Sequence, residues 1–217
     1  MGRITLVCTA HSEGGMCNEN ELIKILLAIG PEVIFEEIRP TDFDSLYGDE
    51  SKYTVEMQAI KKYSKGRKVR QVPVDGYETR EDLGAHLRAL DEFVESRSRA
   101  YHEAMDEMHR KKFELGFSYL NSSAFISNIK ESERLYQEAV SKYGNDLARS
   151  KLSEWKELTR KRESSMLENI YEFCQGTKFI EGVFLVGAGH MSSMLNAIEM
   201  RVKEQPTLVT WKFWNRA

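Results

Sequence analysis

Two histidines each follow a short apolar run, one near either end of the chain. His11 stands in the segment LVCTAHSEGG, and His190 stands in LVGAGHMSSM. An imidazole changes its charge near neutral pH and also binds metals, so it can act as a general base, a general acid or a metal ligand. The matching positions of the two histidines predict that they act together.

Charged side chains follow two further apolar runs of similar length. One run ends in Glu36 and Glu37, with Arg39 just after it, and the next is followed by Asp75. In an open parallel sheet the carboxyl ends of the strands meet at one edge, and ligands bind there. If the runs are parallel strands, these side chains and the two histidines converge on one site.

The residues at this edge allow two kinds of chemistry. His11, Glu37 and His190 can hold a divalent metal with a vacant position for water, which the metal then acidifies. The same three residues can instead act without a metal, with Glu37 orienting a histidine that activates water. An arginine nearby would stabilise a developing oxyanion. The residue types alone leave both alternatives open.

Gly187 and Gly189 precede the second histidine. They could allow a tight turn with positive φ. They could also seat a phosphate group before a helix, although the third glycine of a dinucleotide fingerprint is absent. We count both glycines, with Glu36 and Arg39, among the predicted ligand contacts.

The elements that position these residues alternate between strand and helix. Such an alternation predicts an α/β fold with a central, mostly parallel sheet flanked by helices. The segment NENELIKILLAIG has helical spacing and ends at Gly30-Pro31, which is a stop signal. The predicted strands are residues 4–10, 32–37, 68–74, 183–186 and 207–213.

A long helical insertion is predicted between strands three and four, at about residues 81–175. This stretch is charged and contains no proline, with breaks around Gly116, residues 121–123 and residues 143–146. Near its end, Arg162 lies on one helical stripe with Asn169, beside a face that packs. We expect Arg162 to point into the cleft and to face Glu37. The whole chain is predicted to form one domain, residues 1–217.

Composition predicts which kinds of partner and which cellular compartment suit the chain. The 217 residues carry 31 basic and 34 acidic side chains, and this balance indicates neither nucleic acid nor an anionic membrane as a partner. No apolar run approaches the ~20 residues of a membrane helix. The three cysteines lack metal-type spacing and are typical of reduced thiols in the cytoplasm. Cys8, inside a predicted strand, is expected to be buried and inert.

Four segments resemble motifs of the TraB–Tiki (GumN) family. They are VCTAHS, PEVIFEEIR, RESSM and VGAGHM, and they occur in that family's order. The family belongs to a wider group that includes erythromycin esterases and ChaN-like haem-binding proteins. One residue departs from the pattern, because Cys8 stands where the family has a glycine. The resemblance leaves most of the helical middle, residues 81–159, unmatched.

The resemblance implies an α/β sandwich with a helical insertion over the catalytic edge. It implies that His11 is the first histidine of the motifs and that Glu37 is the strand glutamate. Arg162 and Glu163 are then the helical pair. His190 is the second histidine, and Gly187 is the first residue of its motif. The catalytic residues that it implies are His11, Glu37, Arg162, Glu163 and His190.

The function that we expect from these residues is hydrolysis of a peptide or ester bond, with a divalent metal held by His11, Glu37 and His190. The alternative is a non-enzymatic, regulatory module that binds a small molecule or peptide in the same cleft. In a third hypothesis the charged helices mediate self-association into a homo-oligomer, and the residues at the sheet edge no longer have a function.

Overall fold

A computed structural model of the chain describes residues 2–76, 81–205 and 208–215, with only the backbone described at 81–85. Five strands form one sheet in the order β3-β2-β4-β1-β5. Each neighbouring pair of strands is parallel, which confirms the predicted α/β class with a central parallel sheet. The strands are β1 (Gly2–Thr9), β2 (Val33–Glu36), β3 (Arg70–Pro73), β4 (Glu181–Gly187) and β5 (Val209–Phe213).

The three inner strands, β2, β4 and β1, have nearly continuous apolar sequences, which suit the centre of the sheet. A strand covered by helices on both faces buries successive side chains rather than alternate ones. In β2 all four residues are buried, and in β4 the last six residues are buried. Phe35 and Phe184, which pair in register, are both fully buried at the centre of the core.

Four α-helices cross between strands outside the insertion. The first begins at Asn18, whose side chain accepts a hydrogen bond from the Glu21 N–H, and ends at Gly30 with φ 64°, as the Gly-Pro signal predicts. The connection after β2 is broken into two α-helices and a single 3₁₀ turn, Glu50–Lys52. These helices are α1 (Glu19–Ile29), α2 (Pro40–Tyr47), α3 (Val55–Ser64) and α9 (Met191–Glu204).

In the described part of the stretch between β3 and β4, where the insertion is predicted, there are five helices. The expected breaks at Gly116 and near residues 121–123 and 143–146 are present. A further break falls at Ser98, whose hydroxyl accepts a hydrogen bond from the Tyr101 N–H and so begins a new helix. The helices are α4 (Glu81–Arg97), α5 (Arg99–Leu115), α6 (Phe117–Leu120), α7 (Ser123–Tyr143) and α8 (Asp146–Gly176).

The insertion is joined to the sheet through Asn121. Pairing of β5 with β1 ends near Leu6, so the next residues of β1 have a free edge. There the Cys8 N–H donates to Asn121 Oδ1 at 2.7 Å, and Asn121 Nδ2 donates to the Cys8 carbonyl at 2.8 Å. The buried amide of Asn121 therefore continues the ladder where β5 stops. None of the helices in the described part of the chain is long and apolar enough to cross a membrane.

Candidate active site

The predicted residues meet at the carboxyl edge of the sheet. Thr9, the last residue of β1, pairs in register with Gly187, the last residue of β4. Glu36, the last residue of β2, pairs with both β4 and β3. The side chains that follow these strands are therefore presented on one edge, as parallel pairing predicts.

Glu37 is a common partner of three groups at this edge. Its Oε2 accepts a hydrogen bond from the Gly187 N–H at 2.7 Å, and its Oε1 lies 3.0 Å from Arg162 Nη2 and 3.3 Å from His190 Nε2. Burial would raise the pKa of this carboxyl, but the contact with His190 and the Gly187 N–H lower it to about 2. Glu37 is therefore ionised at neutral pH and is a weak base.

His190 lies between two carboxylates. Its Nδ1 is 2.7 Å from Glu163 Oε1, and its Nε2 faces Glu37. The Ser193 hydroxyl donates to the same Glu163 oxygen at 2.6 Å. Burial would lower the pKa of His190, but the hydrogen bonds to Glu163 and Glu37 raise it to about 9. His190 is consequently an imidazolium at neutral pH.

His11 is held by a carboxylate that the sequence did not reveal. Its Nδ1 lies 3.0 Å from Glu56 Oε1 on α3, and the Thr9 hydroxyl donates to the same oxygen at 2.7 Å. The contact with Glu56 is the largest of the effects that raise the pKa of His11. The His11 side chain is 58% exposed, whereas that of His190 is 13% exposed, so His11 is the more accessible imidazole.

Gly187 provides space rather than an unusual backbone conformation. A Cβ at this position would lie 3.0 Å from His11 Nε2 and 3.3 Å from Glu37 Oε2. Its φ is −54°, and Gly189 is not in the left-handed region either, so of the alternatives offered for these glycines the turn with positive φ does not apply. Gly189 is exposed, and among the described residues no atom lies within 4 Å of a Cβ built on it.

Arg162 points into the cleft, as the helical stripe predicts. Its Nη2 donates to Asp75 Oδ2 at 2.7 Å and to Glu37 at 3.0 Å, and its Nε donates to Asp75 at 3.2 Å. Asn169, farther along α8, donates to the Val74 carbonyl at 2.8 Å. The stripe therefore holds α8 of the insertion against the ends of β2 and β3.

Glu36 and Arg39, which the sequence predicts as ligand contacts, do not contact Glu37, the two histidines or Arg162 through the hydrogen bonds described above. Glu36 is 3% exposed, and its Oε2 accepts the Tyr47 hydroxyl at 2.6 Å while burial raises its pKa to about 7. Arg39 pairs with Asp42, a local contact at the start of α2. Helix α2 begins at Pro40, directly after Arg39, so the Arg39 guanidinium pairs with a residue of the first turn of that helix.

Three cavities border the network. One of about 390 Å³ is lined by both His11 and His190, and one of about 680 Å³ extends from His190 into the insertion, where Tyr136 and Trp155 line it. Met105 lines both of these. A third, of about 270 Å³, is lined by His11, Glu37 and other acidic residues. The site thus has room for groups on more than one side.

The donor atoms fit a divalent metal by their chemistry. Each histidine has a carboxylate at Nδ1, as metal-binding histidines commonly do, and its Nε2 lies beside Glu37 or Gly187. A metal at Nε2 of His190 would displace the proton that this ring carries at neutral pH. The present spacing of the donor atoms is that of a hydrogen-bonded network, because no three His, Cys, Asp or Glu side chains within the described ranges form a ready ligand set.

Comparison of the chain with models of protein families, with curated proteins and with solved structures gives no match. The resemblance to the TraB–Tiki family therefore rests on the four sequence motifs. What the structure defines is an α/β protein with two carboxylate-held histidines at the carboxyl edge of a parallel sheet.

Proposed function

We propose that this chain is a hydrolase of TraB–Tiki type that cleaves a peptide or ester bond at the carboxyl edge of its sheet. One observation carries the proposal: His11 and His190 are each fixed at Nδ1 by a carboxylate, and both lie beside Glu37. Dyads of this kind fix the tautomer of an imidazole and stabilise its protonated form. Two of them at one cleft supply a base and an acid.

The two histidines take different roles because their surroundings differ. His11, the more exposed ring, takes a proton from the attacking water through Nε2, and Glu56 stabilises the imidazolium that forms. His190, already protonated between Glu163 and Glu37, donates to the oxyanion or to the leaving group.

Arg162 and Glu37 act as positioning residues. Two carboxylates neutralise the guanidinium of Arg162, so its charge is used in holding Glu37 and Asp75. Glu37 in turn fixes His190 and the end of β4. A divalent metal, when bound, supplies an acidified water molecule and polarises the scissile carbonyl. His11, His190 and Glu37 are the residues that would hold it.

The cavities suit a substrate with bulky groups near the scissile bond. The two larger cavities both reach His190 and Gly189. Aromatic side chains in the larger one favour an apolar or aromatic substituent. The two spaces could then receive the two sides of an ester or a peptide.

The test is hydrolysis of a panel of nitrophenyl esters and quenched fluorescent peptides by protein purified without chelator. General acid–base groups contribute about 10²–10⁴-fold, so His11→Ala and His190→Ala should each lower kcat/KM by at least about 10²-fold. His102→Ala is the matched control, because His102 is an exposed histidine of α5 paired with Asp106.

Metal analysis of the same preparations separates the two mechanisms. Stoichiometric metal that is lost in His190→Ala supports the metal-dependent form, and turnover that persists after chelation supports the acid–base form. Ligand binding without turnover across the whole panel would instead support a non-enzymatic binding module.

A further inference from the structure

The two larger cavities meet at a small set of shared residues. Among the residues that the structure describes, Met105, Gly189 and His190 line both the cavity of about 390 Å³ and the cavity of about 680 Å³. Both volumes lie in the range of small-molecule sites, which are common between helices. Because His190 is one of the shared residues, a ligand that reaches from one cavity into the other passes beside this ring.

The walls of this junction come from two parts of the fold. Met105 lies on α5 of the insertion, whereas Gly189 and His190 lie in the turn Ala188–His190 between β4 and α9. The half-buried side chain of Met105 packs against the main core. Because the space on the two sides forms separate cavities, the passage between them is narrower than either cavity. We call this passage, lined by Met105, Gly189 and His190, the neck.

Gly189 leaves empty space at the neck. Among the described residues no atom lies within 4 Å of a Cβ built on Gly189, and the residue is exposed. Its φ lies outside the left-handed region, so its backbone also accepts residues with a side chain. A side chain at this position would therefore occupy space that is now empty beside His190.

The spaces on the two sides of the neck suit bulky apolar groups. Buried Met108, Leu120 and Phe125 line the smaller cavity, and Tyr136 and Trp155 line the larger one. Such walls bind a group by removing its apolar surface from water. A ligand that fills both cavities therefore carries two apolar groups, joined by a linker that is thin enough for the neck.

We infer that Met105 and Gly189 determine specificity by limiting the width of the substrate where it passes His190. The substrate class is an ester or amide with a bulky apolar group on each side and no branch on the atoms next to the scissile bond. This inference rests on the proposed function, because it takes the bond beside His190 to be the one that is cleaved.

Calorimetric titration with sulfonamides, which resist hydrolysis, tests the inference without turnover. N-benzylbenzenesulfonamide has a phenyl group on each side of its linker, whereas N-benzylmethanesulfonamide and N-methylbenzenesulfonamide have one each. Burial of the second ring should make the two-ring compound bind at least about tenfold tighter than either one-ring compound. A methyl branch on the linker, in N-(1-phenylethyl)benzenesulfonamide, should weaken binding about tenfold.

Substitution of Met105 tests the width of the neck. Met105→Ala should bind the branched and unbranched two-ring compounds alike, because the shorter side chain leaves room for the methyl group. Met105→Leu conserves the volume and should retain the discrimination, which separates a wider neck from a folding defect. The matched control is Met200→Ala, an exposed position of α9, which should discriminate like the unmodified protein.

Substitution of Gly189 tests the passage from the other wall. Gly189→Val should weaken binding of the two-ring compound to the level of a one-ring compound and should leave binding of the one-ring compounds unchanged. Gly176→Val is the matched control, because a Cβ on Gly176, the last residue of α8, also meets no described atom within 4 Å. The melting temperature of each variant reports its folding.

The inference would be overturned if the two-ring compound failed to bind the unmodified protein, or bound it no tighter than the one-ring compounds. An undiminished effect of the branch in Met105→Ala would contradict it, as would full two-ring binding by folded Gly189→Val. Hydrolysis without preferential two-ring binding removes only this inference. Two-ring binding that depends on Met105 and Gly189, without hydrolysis of any substrate in the panel, removes only the proposed function.

Discussion

Arg162 and Glu37 lie 125 positions apart in the chain, yet Arg162 Nη2 is 3.0 Å from Glu37 Oε1. The same guanidinium holds Asp75, so one cation pairs with carboxylates that follow two adjacent strands, β2 and β3. The side chains of Glu37 and Asp75 are 9% and 7% exposed. Because both carboxylates are buried, their partner contributes to stability as well as to the site.

Replacement of Arg162 should therefore destabilise the protein. Arg162→Ala removes the guanidinium that pairs with two buried carboxylates, and we expect the free energy of unfolding to fall by about 3 kcal/mol. Arg162→Lys should cost nearly as much, because an ammonium cannot reproduce the planar fork that engages both carboxylates. Urea denaturation of the variants measures these changes.

Arg160→Ala is the control for this series. Arg160 lies on the same helix, but its side chain is 69% exposed and pairs with Glu157, so its loss should have a much smaller effect on stability. Similar losses in Arg160→Ala and Arg162→Ala would show that the buried pairing contributes nothing.

Gly187→Ala should damage the site while the fold persists. The backbone at Gly187 suits alanine, but the new methyl group would crowd His11 Nε2 and Glu37 Oε2. Displacing catalytic groups by about 1 Å can cost 10²-fold in rate. The assay is kcat/KM on the best ester or peptide of the panel, with the circular dichroism spectrum as the test of folding.

Gly176→Ala provides the comparison, because Gly176 is the last residue of α8 and among the described residues nothing lies within 4 Å of the added methyl group. This variant should keep most of the activity. An active Gly187→Ala protein would show that the close approach of His11 and Glu37 to β4 is unimportant.

His190 should make the stability of the metal-free protein depend on pH. Its pKa is raised from 6.5 to about 9, so its contribution is complete below pH 6.5 and is lost as the pH rises toward 9. We expect the free energy of unfolding to decrease by about 3 kcal/mol over that window. Denaturation of chelator-treated protein at a series of pH values measures the slope.

His190→Gln should flatten this dependence. Some slope from His11, whose pKa is also raised, should remain in the variant. Ring-proton NMR offers an independent check, since the midpoint for His190 should lie near pH 9. Parallel stability profiles for the two proteins would contradict the assignment.

The thiols should react slowly in the folded protein. Cys8 and Cys17 are 0% exposed and Cys174 is 8% exposed, and burial raises the pKa of Cys17 to about 11 and that of Cys174 to about 12. Burial excludes the reagent and suppresses the thiolate that attacks it. A thiol-specific dye should therefore label the three cysteines only after unfolding. Rapid labelling of Cys8 in the native state would contradict this prediction and make Cys8 a candidate nucleophile.

Sequence reasoning identified the part of the site whose signals are local. An apolar run followed by a polar residue is visible in the sequence, and parallel pairing then brings His11, Glu37, Asp75 and His190 to one edge. The helical stripe through Arg162 is visible in the same way. The contact of Arg162 with Glu37 confirms the predicted orientation.

The residues that sequence reasoning missed depend on tertiary packing. Glu56 is the second residue of α3, where an acidic residue is usually explained by the helix dipole. Its contact with His11 arises only because α3 packs where β1 ends. Asn121 stood within a predicted helix break, but its amide completes the edge of β1. Arg39 follows the strand-end pattern, yet the helix that begins beside it engages its side chain locally.

The position of β4 between β2 and β1 fixes when the site can exist. During synthesis His11 and Glu37 emerge from the ribosome early, and Gly187 and His190 emerge 150 or more positions after Glu37. Until β4 enters the sheet, Glu37 lacks the Gly187 N–H and the His190 ring, and β1 and β2 have no strand to join them. The order of translation therefore delays the candidate site: its contacts can form only when the last-made inner strand joins β1 and β2 in the sheet.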